Sequence, residues 1–286
     1  MSGQLTNRQI ETKANAVRQS IIKMLEHAGS GHSAGPLGLA DIVTTLYFDI
    51  MNIDSKNPEK PDRDIFMLSN GHCVPVQYAV MAEAGFFPKE EIMTLRKLGS
   101  RLQGHPERSK LPGIESTSGP LGSGLSQAAG YAYSLQYLDN QRHRWVYCIT
   151  GDGELNEGNI WEAMMFAGKY KLSQLIVFVD RNNIQIDGPT ETVMPLEDLA
   201  AKWKSFGWHV QEIDGHNIES IQDAVGMAKA IENRPSVIIA HTIPGKHVGF
   251  MEYDYKWHGM PPNHEQAKEA LQELRSMKGR VLGGNE

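Results

Sequence analysis

The stretch from Gly151 to Asn183, "GDGELNEGNIWEAMMFAGKYKLSQLIVFVDRNN", begins with an acid in a glycine turn and ends with an acid followed by paired asparagines. Asp152 and Asn182 lie 30 residues apart. The residues before it, "RWVYCIT" (Arg144–Thr150), and "LIVFVD" (Leu175–Asp180) near its end are short apolar runs of strand type. Between them "ELNEGNIWEAMMFAGKYK" has helical composition. Strand, helix and strand in that order read as one unit of a parallel sheet. Ligands of such sheets bind outside the carboxyl ends of the strands, which places both turns on one edge. Glycines there let backbone approach a ligand closely, and the N–H groups of the following helix favour an anion. Asp152 would repel that anion unless a cation lay between them. The Asp152 carboxylate and the Asn182 carbonyl oxygen can converge on one hard metal. Magnesium takes six oxygens, often including substrate phosphates. An ordinary strand–helix–strand turn pair uses the same residue types. A dinucleotide fingerprint does not fit, because "GDGELN" lacks the third glycine.

The alternation continues outward. "LEDLAAKWKSFG" predicts a helix, "WHVQEID" a strand, "NIESIQDAVGMAKAIE" a helix and "SVIIAHT" a strand. Upstream, Ile10, Ala14, Val17, Ile21, Met24 and Ala28 form a helical stripe; Thr6 and Gln9 suit a capping box and Gly29 a stop. A second helix is expected over Leu39–Asp49, a buried strand over Asp64–Ser69, and a helix over Val74–Gly85 with Pro75 in its first turn. Residues 99–124 are rich in Gly, Pro and Ser, and a long irregular stretch inside a compact domain is usually functional. A last helix is expected over Asn263–Met277, with "GGNE" fraying after it. The fold class is therefore α/β, a doubly wound, mostly parallel sheet flanked by helices. With no repeat and no linker, residues 1–286 are expected to form a single domain.

The composition bounds the function. The chain has 286 residues, 40% hydrophobic and 22% charged, enough for a full core without staples. Net charge is −6 and no basic block exists, which argues against nucleic acid as a partner. Cys73 and Cys148 are isolated and read as buried thiols of a reducing compartment. The polar N-terminus does not resemble a signal peptide, and no apolar run approaches membrane length, so a cytoplasmic location is expected.

"GDGELNEG…DRNNIQIDG" resembles the signature of thiamine diphosphate enzymes, and more narrowly of the transketolase family. "SGHSAGPLG" (Ser30–Gly38), "LSNGH" (Leu68–His72), "LQGHPE" (Leu102–Glu107), "GPLGSG" (Gly119–Gly124) and "WHGMPP" (Trp257–Pro262) resemble further family blocks in the family's order. The resemblance implies a thiamine diphosphate-binding fold and a magnesium ion, with calcium or manganese able to replace it. The implied metal ligands are Asp152, Asn182 and the backbone carbonyl of Ile184. Gly153 would offer its N–H to the diphosphate, and Gly119, Leu121 and Gly122 would line the cofactor site. Glu157 matches an acid of a carboxylate network across the subunit interface. His32 and His258 are implied in proton transfer near the reactive carbon; His72 and His105 would hydrogen-bond cofactor or sugar. Imidazole suits this role because it titrates near neutral pH. Lys246 and His247 could also reach the phosphate region. One departure is Ser33–Ala34, where the family commonly has Pro-Gly.

A whole transketolase is about twice this length. The chain resembles its N-terminal, diphosphate-binding half. The glutamate that activates the cofactor, and most sugar-phosphate contacts, are implied to come from a separate subunit carrying the pyrimidine-binding and C-terminal domains. An assembly with two copies of each is expected. The implied reaction is transfer of a two-carbon ketol unit from a ketose phosphate to an aldose phosphate. Alternatives are a related ketol transferase acting on another phosphosugar or aldehyde, and a cofactor-binding protein without turnover.

Overall fold

The computed structural model of the chain describes residues 5–283. The expected fraying at 284–286 lies outside them. Helix α1 (Asn7–Ala28) starts at the Thr6–Gln9 capping box and stops at Gly29, which takes the left-handed conformation (φ 65°). Its stripe of Ile10, Ala14, Val17, Ile21 and Met24 is fully buried.

Helix α2 spans Ala34–Thr45 and passes into one wide turn, Leu46–Ile50. It thus begins five residues before the expected Leu39. All twelve of its residues are buried, so it has no polar face to mark its start. Strand β1 (Ile65–Leu68) and helix α3 (Val74–Ala84) follow as expected, with Pro75 in the first turn. From Leu95 to Gly122 the described chain contains no helix or strand. Leu102, Leu111 and Ile114 nevertheless pin this segment into the core.

Helix α4 (Ser123–Tyr133) leads to strand β2 (Val146–Gly151). Helix α5 begins only at Gly158 and runs to Lys169, because Gly153–Asn156 form a tighter turn that points Glu154 inward. Strand β3 (Leu175–Arg181) ends in a small antiparallel hairpin, β4 (Ile184–Gln185) and β5 (Gly188–Pro189). Then come α6 (Thr190–Val193), α7 (Leu199–Ser205), β6 (His209–Asp214), α8 (Ile218–Ala230), β7 (Ser236–His241) and α9 (His264–Gly283).

The five long strands form one wholly parallel sheet in the order β1-β2-β3-β7-β6. Side chains alternate across it. Phe66, Leu68, Tyr147, Ile149 and Phe178 face the layer of α1, α2, α3 and α8. Ile65, Met67, Cys148, Val177 and Val179 face the layer of α4, α5 and α7. Each such fully buried large side chain contributes about 1.5–3 kcal/mol.

The chain steps one way from β1 to β3, jumps to the edge at β6, and returns to β7. Right-handed crossovers therefore put α4, α5 and α7 on one face and α8 on the other. Cys73 and Cys148 are buried and unbridged, and burial pushes both thiols well up. Among the described residues no helix is long and apolar enough to cross a membrane.

Candidate active site

A cavity of about 290 Å³ lies at the carboxyl ends of β1, β2 and β3. Its walls carry His32, His72, His105 and His258 together with Gly119, Leu121, Asp152, Gly153, Asn182 and Ile184. Residues separated by more than 200 positions in sequence thus share one surface. Gly122 stands behind the wall rather than on it: its N–H donates to Glu154 Oε1 at 2.6 Å, and its φ of 82° requires glycine. Glu157 is exposed and lies off the cavity, at the start of α5.

The acid wall is tightly bonded. Asp152 is 1% exposed. Its Oδ2 accepts from Asn183 N (2.8 Å), Arg181 Nη1 (3.0 Å) and Thr190 Oγ1 (3.4 Å), while Oδ1 accepts from Gly153 N (2.7 Å). The Gly153 N–H, expected to face a diphosphate, donates here to the neighbouring carboxylate, and Gly153 itself lines the cavity. The paired asparagines divide the labour of the turn. Asn183 takes the left-handed conformation (φ 63°), which asparagine tolerates. Asn182 Nδ2 donates to Asp180 Oδ2 at 2.9 Å, which leaves Oδ1 facing the Ile184 N–H at 3.0 Å. Across the β4–β5 hairpin Ile184 pairs with Pro189, which has no N–H, so that pairing does not consume the Ile184 carbonyl.

Two acids of this wall were not singled out by the sequence. Asp180 accepts from Thr242 Oγ1, tying β3 to the end of β7, and burial, reinforced by Asp152, pushes its carboxyl up to about 7. Glu154 accepts from Ser69 Oγ, Gly122 N and Gly151 N, and so knots three cavity loops. Burial raises it too, and raises Asp152 against the pull of Arg181. Three acids in one lining without a lysine or arginine make a place for a cation. Among the described residues no trio of His, Cys, Asp and Glu side chains gathers as a metal site. The oxygen set available is one carboxylate, one amide and one backbone carbonyl. That set suits a hard cation that also takes ligand oxygens.

The opposite wall is left open. The rings of His32 and His72 lie 4.8 Å apart, His72 and His258 5.2 Å, and His32 and His258 5.7 Å. Nδ1 of His32 and of His258, and both amide atoms of Asn70, are buried without a hydrogen-bond partner. Asn70 was also not foreseen; it sits inside "LSNGH", beside the histidine that drew attention. Burial, then His258 and Arg96, lowers His32 to about 4. Burial and the neighbouring imidazoles push His72 well down, and burial lowers His105 and His258. The sequence suggested titration near neutral pH. The buried cluster instead keeps all four imidazoles neutral there, each with one donor and one acceptor nitrogen.

Lys246 and His247 do not reach this cavity. They line a second one with Arg18, Asp41 and His216, because Gly245 N bonds Ala34 O and the chain turns through the positive φ of His247 (69°). His216 belongs to the buried framework: Nδ1 meets Asp41 Oδ2 at 2.7 Å and Nε2 accepts from Ile243 N at 2.8 Å.

Comparison with known proteins places this geometry. Residues 10–278 match the family "Transketolase, thiamine diphosphate binding domain". The chain is 43% identical to the 6-deoxy-6-sulfo-D-fructose transketolase subunit SqwG of Clostridium sp. (strain MSTE9), over 93% of this chain and 96% of that protein. It is 38% identical to an apulose-4-phosphate transketolase subunit from Phocaeicola vulgatus, over 93% of each. Transketolase from Campylobacter jejuni superposes with a TM-score of 0.87 at 34% identity, over 93% of this chain and 42% of the longer one.

Proposed function

The chain belongs to the transketolase family, in its thiamine diphosphate-binding domain, and from that premise we propose that it is the N-terminal subunit of a split transketolase. With a C-terminal subunit it transfers a two-carbon ketol unit from a ketose phosphate to an aldose phosphate. The relatives that it matches over nearly their whole length are themselves named as subunits. Two copies of each subunit, working in the cytoplasm, complete the reading.

One observation carries it: the oxygen set of Asp152, Asn182 and Ile184 stands across a single cavity from four neutral imidazoles. Asp152 Oδ1, Asn182 Oδ1 and the Ile184 carbonyl would hold Mg²⁺, which would neutralise the cofactor's diphosphate beside three acids. Bound thiamine diphosphate supplies the nucleophilic carbon and the electron sink for cleaving and re-forming the ketose carbon–carbon bond.

The chain's own residues do the rest. Glu154 holds the Gly119–Gly122 loop against the β2 turn and so sets the width of the cofactor slot. His32 and His258 accept a proton from a sugar hydroxyl and return it to the carbonyl oxygen, since a neutral imidazole can do either. His72 and His105 orient the sugar oxygens.

The test mixes the chain with a C-terminal transketolase subunit, thiamine diphosphate and Mg²⁺, and assays ketol transfer over a donor and acceptor panel. The panel includes sulfonated and branched sugars, after the relatives' names. Transfer that requires both polypeptides and both cofactors is expected. No transfer with any donor–acceptor pair would sink the reading.

A further inference from the structure

His32 and His258, the pair that moves the proton, come from opposite ends of the chain. Their rings stand edge to face, with centroids 5.7 Å apart. No hydrogen bond holds either ring. Nδ1 of each is buried without a partner, and among the described residues no other hydrogen bond reaches the two imidazoles. Their relative placement therefore depends on the loops that carry them.

One side chain joins those loops. Ser33 is fully buried, and its Oγ donates to the backbone carbonyl of Met260 at 2.6 Å. Ser33 follows His32 directly, and Met260 lies two residues after His258. The loops touch beside this bond: a Cβ on Gly259 would lie 3.9 Å from Cδ2 and Nε2 of His32. The next residue is fastened from another side, since Gly245 N donates to Ala34 O at 2.9 Å.

The hydroxyl forgoes a nearer use. Ser33 is the N-cap of α2, where a serine oxygen usually accepts from N–H groups of the first turn, yet it makes no cap bond. It turns instead to a carbonyl 227 positions away. This is also the residue at which the chain departs from the proline common in its family. A proline ring fixes its own φ at about −65° and offers no donor. Ser33 has a φ of −103° and is held by a bond to a second loop.

We propose that Ser33 is a positioning residue of this site: its hydroxyl clasps the His258 loop to the His32 loop and so sets the placement of one imidazole against the other. The expected effect on turnover rests on the ketol-transfer reading; the clasp itself does not.

Ser33→Ala and Thr45→Ala are compared with wild type, both as the free chain and as complexes with a C-terminal transketolase subunit, thiamine diphosphate and Mg²⁺. Thr45 is the control: its buried hydroxyl, in the same helix, also donates to a carbonyl, that of Asp41 at 2.8 Å, but joins no second loop. In the free chain, NMR with labelled histidine reads the contact between the ring protons of His32 and His258. Ser33→Ala is expected to lose that contact and to lower kcat about 10-fold, because small displacements of reacting groups cost rate. Its KM for the ketose donor and its affinity for thiamine diphosphate should stay within about twofold of wild type. Thr45→Ala should lower the unfolding midpoint while keeping the ring contact and a kcat within about twofold of wild type. A ring contact retained in Ser33→Ala, or an unchanged kcat, would overturn the proposal. So would equal losses in Thr45→Ala, which would mean that any bond lost from α2 disturbs the site. A rise in KM at constant kcat would mean that the hydroxyl serves binding, and a Ser33→Ala chain that does not fold would mean a structural role; either sinks the clasp. A wild-type complex inactive on every donor–acceptor pair would instead defeat the ketol-transfer reading, and the ring contact would still decide the clasp.

Discussion

The two walls of the cavity treat their polar atoms in opposite ways. On the acid wall, Asp152, Glu154, Asp180 and Asn182 are each bonded to two or more partners within the chain. On the histidine wall, Nδ1 of His32 and of His258 are buried and unpartnered, and so is the amide of Asn70, which lies beside Gly151 where the two walls meet. A buried polar group without a partner costs about 1–3 kcal/mol, so the second wall carries a cost that the first does not. The difference suggests a division of roles. The acid wall is finished before any ligand arrives and presents oxygens in fixed directions. The histidine wall keeps buried nitrogens without a partner in the chain.

The sharpest way to break this comparison is Asp152→Ala. Losing an outer-shell partner of a metal ligand typically costs 10–100-fold in affinity, so losing a direct ligand should weaken Mg²⁺-dependent thiamine diphosphate binding by about 100-fold or more. Titration by fluorescence quenching at several Mg²⁺ concentrations checks it. Unchanged binding would remove Asp152 from the clamp.

Glu154→Gln tests the finished wall by stability. Its second carboxylate oxygen becomes an amide nitrogen and faces a backbone N–H at Gly122 or Gly151. A loss of about 1–3 kcal/mol is expected in urea unfolding of the free chain.

Asn70→Leu is the mirror experiment. It removes two unpartnered atoms at similar volume, so the free chain should be unchanged or stabilised by about 1 kcal/mol, while ketol transfer by the complex falls. A marked destabilisation would show that Asn70 belongs to the framework.

The smallest effect concerns pH. His32 has a folded pKa of about 4 against an unfolded value of 6.5. Between those values the unfolded chain binds the extra proton, so this residue's contribution is intact above pH 6.5 and is lost as pH falls toward 4. Asp180 (about 7) and Glu115 (about 6) act in the opposite sense, because acid relieves their burial. The comparison of wild type with His32→Gln in the same buffers isolates the histidine. The variant should gain about 2 °C in Tm relative to wild type between pH 7.5 and pH 5. A constant difference would mean that His32 is not held neutral.

Legibility from sequence followed the range of the forces. The α1 cap, the strands and the two polar turns after β2 and β3 were readable because they depend on neighbours within a few residues. The start of α2 was not, since every residue in it is buried and periodicity has nothing polar to register. Glu154 was taken for a helix residue; its partners Ser69 and Gly122 lie 85 and 32 positions away. Lys246 and His247 were expected to be able to reach the phosphate region, yet the turn at Gly245 carries them to another cavity.

The sequence by itself determined the parallel architecture and the residue types able to meet a metal–diphosphate. Short apolar strands alternating with amphipathic helices leave few topologies, and Asp, Asn and Gly at strand ends carry their chemistry with them. Tertiary structure alone decided which atoms remain unpartnered, that burial lowers all four imidazoles, and that Glu154 ties three cavity loops together. Burial, dielectric and charge proximity depend on how distant segments pack, and no local pattern records them.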